Sequence, residues 1–289
     1  MTGSPYTDLD RPPLSQPAME RALVVPGGLW RSVRVVATTG STNADLAAAA
    51  ADGAPEGTVL VAEQQTAGRG RLGRTWVSPP QAGLHVSVLL RPGRATGDHR
   101  PVPPARYGWL PLLAGVALLT TVRRLGLIPA ALKWPNDLLV APGGEKPAAK
   151  CAGVLAEAVP DPDGVAPAVV IGIGLNVTLR ADELPRPDTT SLQLVGADCV
   201  DRDPLLRALL RDLATGYVEF RDRDGDSAAL REMYRAGCAT LGREVRAELP
   251  DGSTLTGTAT DVDPDGRLVI TPADGTPVRL AAGDVVHLR

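Results

Sequence analysis

From Gly242 to the end of the chain, short apolar runs alternate with Asp-Gly pairs. The runs 244–249, 255–262, 268–270, 278–280 and 285–288 are separated by Asp251-Gly252, Asp265-Gly266 and Asp274-Gly275. Asp-Gly readily takes the positive φ of a tight hairpin turn, so such spacing specifies antiparallel neighbours. These roughly fifty residues can bury an apolar face only as a small all-β unit. The pattern predicts a boundary near Leu241.

Before that boundary the periodicity is mixed. Val33-Arg34-Val35-Val36 reads as a strand and leads to an alanine-rich helix over 44–51, which Ser41 or Thr42 would cap. Strands are predicted at 58–62, 84–90, 132–134, 137–140, 151–159 and 168–173, and helices at 107–125, 203–223 and 227–239. The helix at 107–125 is apolar nearly all round and so belongs in the core. Such interleaving predicts an α/β (α+β) domain: a mixed sheet flanked by helices. Pro5, Pro12, Pro13, Pro17 and Pro26 punctuate the start, so residues 1–28 read as a disordered or extended tail. The expected division is 1–28, 29–240 and 241–289.

A hydrophobic content of 44% with 22% charged residues can fill a real core over 289 residues. The net charge of −3 argues against a chain that coats nucleic acid, so anion binding must come from local patches. Cys151, Cys199 and Cys238 are odd in number and lack metal-type spacing, which predicts a reducing compartment. His85, His99 and His287 are too scattered for a histidine metal site. The apolar stretch 109–122 is shorter than the roughly 20 residues of a bilayer span, and 1–16 carry no apolar signal segment. A soluble cytoplasmic protein is expected.

One local patch stands out. No acidic residue lies between Glu63 and Asp98, and Gly68-Arg69-Gly70-Arg71-Leu72-Gly73-Arg74-Thr75-Trp76 sits inside that interval. Arginine offers planar, permanently charged forks for phosphate and carboxylate, and glycine lets backbone approach a ligand. The Gly68-x-Gly70-x-x-Gly73 spacing matches a dinucleotide fingerprint only formally. No helix opens there, and no acid follows about 20 residues on. Gly172-Ile173-Gly174 lacks the third glycine, and the chain has no Gly-Lys pair for a phosphate-binding P-loop. A solvated connector or an RNA-binding Arg/Gly segment would be the bland alternatives. Likewise Lys133-Trp134-Pro135-Asn136-Asp137 could be a plain turn, Lys150 an edge lysine and Asn176 a turn-satisfying amide. All of these features, however, fall at strand ends of one domain, where scaffolds present functional groups.

Together the motifs resemble the biotin protein ligases. The Arg/Gly loop with its Trp, Lys133 to Asp137, the Lys150 to Glu157 strand, Gly172 to Val177 and Ser41-Thr42-Asn43 occur in that family's order. The likeness runs from about Val33 to Arg289, and the small β unit looks like the family's SH3-like barrel. The resemblance implies a two-step reaction. The biotin carboxylate attacks the α-phosphorus of ATP to give biotinyl-adenylate and pyrophosphate. A lysine of a biotin carboxyl carrier protein then takes the acyl group and releases AMP.

On that resemblance Arg69, Lys150 and Asp137 are the catalytic candidates. Ser41, Thr42, Asn43, Gln65, Arg69, Gly70, Arg71 and Lys150 are biotin-site candidates, and Arg71, Arg74, Trp76, Lys133, Asn136 and Asn176 are ATP-site candidates. Mg²⁺ is expected mainly through the ATP phosphates, with no protein ligand assigned. The stretch 141–149 is longer than the family pattern, which leaves Lys146 as an alternative to Lys150; no role is assigned to Cys151. Lipoate–protein ligase is the alternative enzyme, and a bifunctional repressor or an RNA-binding protein the alternative of another class. The proline-punctuated start predicts no DNA-binding domain. No membrane association is expected, and the protein is read as a monomer or weak homodimer.

Overall fold

The computed structural model describes residues 11–97, 99–141, 147–161, 163–249, 252–281 and 283–288. Seven strands form the larger sheet: β1 (Ser32–Val36), β2 (Thr58–Ala62), β3 (Gly83–Leu90), β4 (Ala130–Lys133), β5 (Asp137–Val140), β6 (Ala149–Val159) and β7 (Ala168–Asn176). Their spatial order is β1-β2-β3-β7-β6-β5-β4. Only β1 and β2 pair in parallel, and every other neighbour is antiparallel. The parallel step requires a crossover, which α2 (Thr42–Ala51) supplies. The mixed sheet with flanking helices is therefore as the sequence predicts.

Alternation along β7 shows how the sheet divides two environments. Val169, Ile171, Ile173 and Leu175 enter the large core. That core also holds buried residues of α3 (Trp109–Gly126), α4 (Arg202–Asp222) and α5 (Ala228–Gly237). Ala168 and Val170 point the other way and pack with Leu46 and Ala50 of α2. On that second face the next side chains are Gly172, Gly174 and Asn176, so the apolar cover stops and the sheet surface lies open. Helix α3 is long and apolar enough to cross a membrane, but its buried residues from Trp109 to Gly126 make it a core helix here.

Residues 11–28 differ from the sequence expectation. They include helix α1 (Gln16–Leu23), whose Met19 and Leu23 are buried in the core. Pro17 sits in its first turn, where a missing N–H costs nothing. Upstream of it, Leu14 N donates to Glu63 Oε1 at 2.5 Å, and Arg202 ties Glu63 Oε2 to the carbonyl of Pro12. The segment is a strap bound to the sheet edge. Residues 1–10 lie outside the described residues.

The C-terminal strands are β8 (Glu244–Glu248), β9 (Thr254–Val262), β10 (Leu268–Thr271), β11 (Val278–Leu280) and β12 (Asp284–His287). They form a separate antiparallel sheet in the order β11-β10-β9-β8-β12, a barrel-like unit. Two of the predicted Asp-Gly turns form as expected, with Gly266 and Gly275 at φ of 80° and 85°; Asp251 lies outside the described residues. The β9–β10 turn docks on the first domain, where Trp109 Nε1 donates to Pro264 O at 2.7 Å and Trp134 Nε1 to Gly266 O at 3.1 Å.

Candidate active site

A cavity of about 510 Å³ opens over the bare part of the larger sheet. All fourteen site residues predicted from sequence line it: Ser41, Thr42, Asn43, Gln65, Arg69, Gly70, Arg71, Arg74, Trp76, Lys133, Asn136, Asp137, Lys150 and Asn176. Its floor is built by cross-strand register. Gly153 of β6 faces Gly174 of β7, and Leu155 faces Gly172. A Cβ on Gly174 would lie 2.4 Å from the Trp76 ring, and one on Gly172 would lie 2.1 Å from Asn43 Oδ1. These glycines are therefore fixed by close approach: the strand backbone itself is the surface on which Trp76 and Asn43 rest.

One wall comes from the start of α2. Ser41 caps that helix, its side chain accepting from Ala44 N. Thr42 donates from both N (2.8 Å) and Oγ1 (3.1 Å) to Gln65 Oε1. Asn43 Nδ2 donates to Glu157 Oε2 at 2.6 Å, while Asn43 Oδ1 lies 2.6 Å from Ser87 Oγ. The Asn43 amide is thus occupied by protein partners, and it shapes the wall through them. Beneath it His85 is buried on β3, and burial pushes its imidazole down to about 4, so it is neutral.

The Arg/Gly loop folds as a hairpin-like excursion. Trp76 N donates to Gly68 O (2.9 Å) and Gly70 N to Arg74 O (2.7 Å). A Cβ on Gly68 would collide with Trp76 O at 2.4 Å, and Leu72 and Gly73 both take positive φ at the tip. Arg71 Nη1 reaches Asn136 Oδ1 at 3.3 Å, joining the loop to the β4–β5 turn. In that turn the Trp134–Pro135 peptide is cis. Asn136 also donates from Nδ2 to Val154 O (2.9 Å), which locks the turn to β6.

Lys150 and Asp137 form an ion pair of 2.6 Å, each about one-fifth exposed. Lys150 Nζ also lies 5.7 Å from the Trp76 ring centroid, within cation–π range. Neighbouring Cys151 points into the core and burial raises its thiol pKa well above the usual range, so it is an inert packing residue. Lys146 lies outside the described residues. Asn176 Nδ2 donates to Thr190 O at 2.9 Å and so fastens the segment that follows β7.

That segment brings residues the sequence analysis did not single out. Lys150 N donates to Asp188 O and Thr190 N to Lys150 O, both at 2.9 Å, which places Pro185, Arg186 and Thr189 on the cavity rim. Val285 of β12 lines the cavity as well. Arg186 carries no motif, and Val285 lies far away in sequence, so no local signal could mark them. The cavity lining holds six cations (Arg69, Arg71, Arg74, Lys133, Lys150 and Arg186) against one acid, Asp137. Such an excess attracts a ligand with several negative charges. The apolar ring of Trp76 and the bare sheet beside it suit a flat or aliphatic group.

Residues 36–176 match the Biotin/lipoate A/B protein ligase family, and residues 240–288 match the biotin protein ligase C terminal domain. A biotin–[acetyl-CoA-carboxylase] ligase of Mycobacterium tuberculosis is 45% identical, with 98% of this chain and 100% of that protein covered. The bifunctional ligase/repressor BirA of Bacillus spizizenii is 32% identical over 83% of this chain and 69% of its own length. Among solved structures, the biotin protein ligase of Aquifex aeolicus in complex with biotin and ATP superposes with a TM-score of 0.70 at 26% identity. That match covers 90% of this chain and 100% of the other. With the cavity placed on the matched region and both profiles in order, the chain belongs to the biotin/lipoate A/B protein ligase family, and within it to the biotin protein ligases.

Proposed function

We propose that the cavity over β6 and β7 joins biotin to ATP and then hands the biotinyl group to a lysine of a biotin carboxyl carrier protein. The observation that carries this reading is the lining itself: six cations and one acid around a cavity of about 510 Å³ over a bare sheet floor. A carboxylate brought to a triphosphate meets like charge, and fixed cations remove that barrier. In the first step a biotin carboxylate oxygen bonds to the α-phosphorus while the bond to pyrophosphate breaks. In the second, the carrier lysine's nitrogen bonds to the acyl carbon, the bond to AMP breaks, and the amine loses a proton.

Roles are assigned from the family resemblance, and for Arg186 from its place on the rim, to residues that all line the cavity. Lys150 and Arg69 are assigned to the carboxylate and the α-phosphate. Arg71, Arg74, Lys133 and Arg186 are assigned to the remaining phosphate charge. Trp76, Asn136 and Asn176 are assigned to the nucleotide side, with Trp76 offering a stacking face. Ser41, Thr42, Asn43, Gln65 and Gly70 make the biotin wall. Asp137, already held by Lys150 at 2.6 Å, is the group placed to orient the carrier amine or accept its proton. Among the described residues no group of three or more His, Cys, Asp or Glu side chains could hold a metal ion. The one lining carboxylate, Asp137, is held by Lys150, so Mg²⁺ is assigned to the ATP phosphates and no step is derived through it.

We take 29–240 as the catalytic domain and 241–289 as the barrel-like domain, in line with the two profile matches. The acceptor is taken as the carrier domain of a biotin-dependent carboxylase, and the protein as a monomer or weak homodimer. Three unpaired cysteines fit a reducing cytoplasm. Repressor activity is not part of this reading. Gel-shift binding to upstream DNA at physiological salt would add it.

The test is ATP–pyrophosphate exchange with biotin or lipoate as the only acid. Exchange driven by biotin supports the reading, exchange driven by lipoate alone moves the protein to the lipoate branch, and no exchange with either overturns it.

A further inference from the structure

The β4–β5 turn that carries Lys133, Asn136 and Asp137 into the cavity is held from the side of the C-terminal sheet. Trp134 N donates to Thr240 Oγ1 at 3.0 Å. Thr240 Oγ1 in turn lies 3.0 Å from His287 Nε2 on β12. Thr240 is fully buried, so its hydroxyl proton needs an acceptor. With Trp134 N–H on one lone pair, the acceptors in reach are the Cys238 thiol and the imidazole nitrogen, and the imidazole is much the stronger. The network therefore runs Trp134 N–H to Thr240 O–H to His287 Nε2, with the imidazole proton on Nδ1.

Two further facts bind this network to the site. Val285, two residues before His287, itself lines the cavity. Burial pushes the His287 imidazole down to about 4, with the charges of Lys133, a lining cation, and Arg243 acting in the same direction. A neutral ring accepts a hydrogen bond beside an ammonium group without repelling it, so the arrangement stays single at neutral pH.

We propose that His287 is a positioning residue: through Thr240 it sets the Trp134 backbone and hence where Lys133, Asn136 and Asp137 enter the cavity. This rests on the ligase reading above. The C-terminal sheet is then part of the catalytic apparatus by a named hydrogen-bond path and not only by packing.

The experiment measures biotin-dependent exchange, with the KM for ATP separated from the affinity for biotin, on the full chain. His287→Val removes the acceptor; kcat/KM for ATP should fall about tenfold while biotin affinity stays within twofold. His287→Gln places an amide oxygen near the Nε2 position and should restore kcat/KM for ATP to within about threefold of wild type. Leu280→Ala is the control, because it weakens the same sheet on β11, at the opposite edge from β12. It should lower Tm with kcat/KM for ATP unchanged. If His287→Val does not fold, Thr240→Val against Thr240→Ser carries the same comparison. Wild-type constants in His287→Val, or equal losses in His287→Val and Leu280→Ala, would overturn the inference. Absence of biotin-dependent exchange in the wild type would instead overturn the ligase reading.

Discussion

Two parts of the molecule are rich in arginine, and they are built on opposite principles. Where the end of α2 meets β3 and α4, Arg91, Arg94 and Arg221 each pair with an acid. Arg91 donates to Asp161 at 2.8 Å and to the carbonyls of Ala50 and Ala54, Arg94 reaches Asp161 and Asp163, and Arg221 pairs with Glu56 at 3.2 Å. A second cavity lies beside this cluster, lined by Arg31, Arg91, Arg94 and Arg221. Around the larger cavity six cations line the walls with one lining acid, Asp137, which pairs with Lys150, while Arg186 pairs with Asp188 at 2.9 Å. Cation number does not separate the two regions; burial does, for Arg91 and Arg221 are buried whereas the six cations of the larger cavity are exposed or half-buried. Buried, ion-paired arginines bind loops to the scaffold, whereas cations that face a cavity present positive potential for a ligand to neutralise.

The contrast predicts that substitutions in the first region lower stability and substitutions in the second lower activity. The largest effect is expected for Lys150→Ala: biotin-dependent exchange should drop by about 10²- to 10³-fold. Its Tm should hardly move, because the Lys150–Asp137 pair is part-exposed. A large Tm loss with residual exchange would place Lys150 among the scaffold cations and break the contrast. Gly174→Ala comes next. Its Cβ would meet the Trp76 ring at 2.4 Å, so the indole must shift, and a cost of about 1.4 kcal/mol would appear as a tenfold lower kcat/KM for ATP. An unchanged constant would mean that Trp76 takes no part in nucleotide binding.

Asp161→Asn should do the reverse. Hydrogen bonding from Arg94 is the main cause that holds the Asp161 carboxyl down to about 2. A depressed folded-state value gives stability that is present above the ordinary carboxylate pKa and is lost as pH falls toward 2. Arg94 is about one-third exposed, so solvent screening discounts the gain to about 1 kcal/mol. The variant should be less stable than wild type at pH 7 by that amount in denaturant melts, and the two curves should converge as pH nears 2. Exchange activity should not change. The smallest effect is expected for Arg186→Ala: an exposed rim cation facing a charged ligand should change the KM for ATP by about threefold. No change would confine the functional surplus to the cations of the Arg/Gly loop, Lys133 and Lys150.

What could be read from sequence follows the same physical divide between local and non-local causes. Strand and helix spans were legible because period, caps and turns are local: Ser41 caps α2, and the Asp-Gly pairs close the C-terminal hairpins. Thirteen of the fourteen predicted lining residues sit in motifs and were legible as motifs, and Gln65 lies three residues before the Arg/Gly loop. Gly153 and Gly174 were visible as glycines, but their shared face depends on the β6–β7 register. Arg186 reaches the rim only because Lys150 exchanges backbone hydrogen bonds with Asp188 and Thr190. Helix α1 was missed because prolines dominated the composition. The spacing of Met19 and Leu23, four residues apart, was the available signal, and Pro17 in the first turn was compatible with it.

In solution the unbalanced cavity draws mobile anions toward its walls, so substrate entry is an exchange in which small anions are released. The observed affinity for ATP should therefore weaken as salt rises, and more steeply than that for biotin, which brings a single charge. Inorganic phosphate would compete as a ligand rather than act as an inert buffer ion. The enzyme's apparent hunger for its nucleotide is in this sense set jointly by the protein and by the ionic composition of the fluid around it.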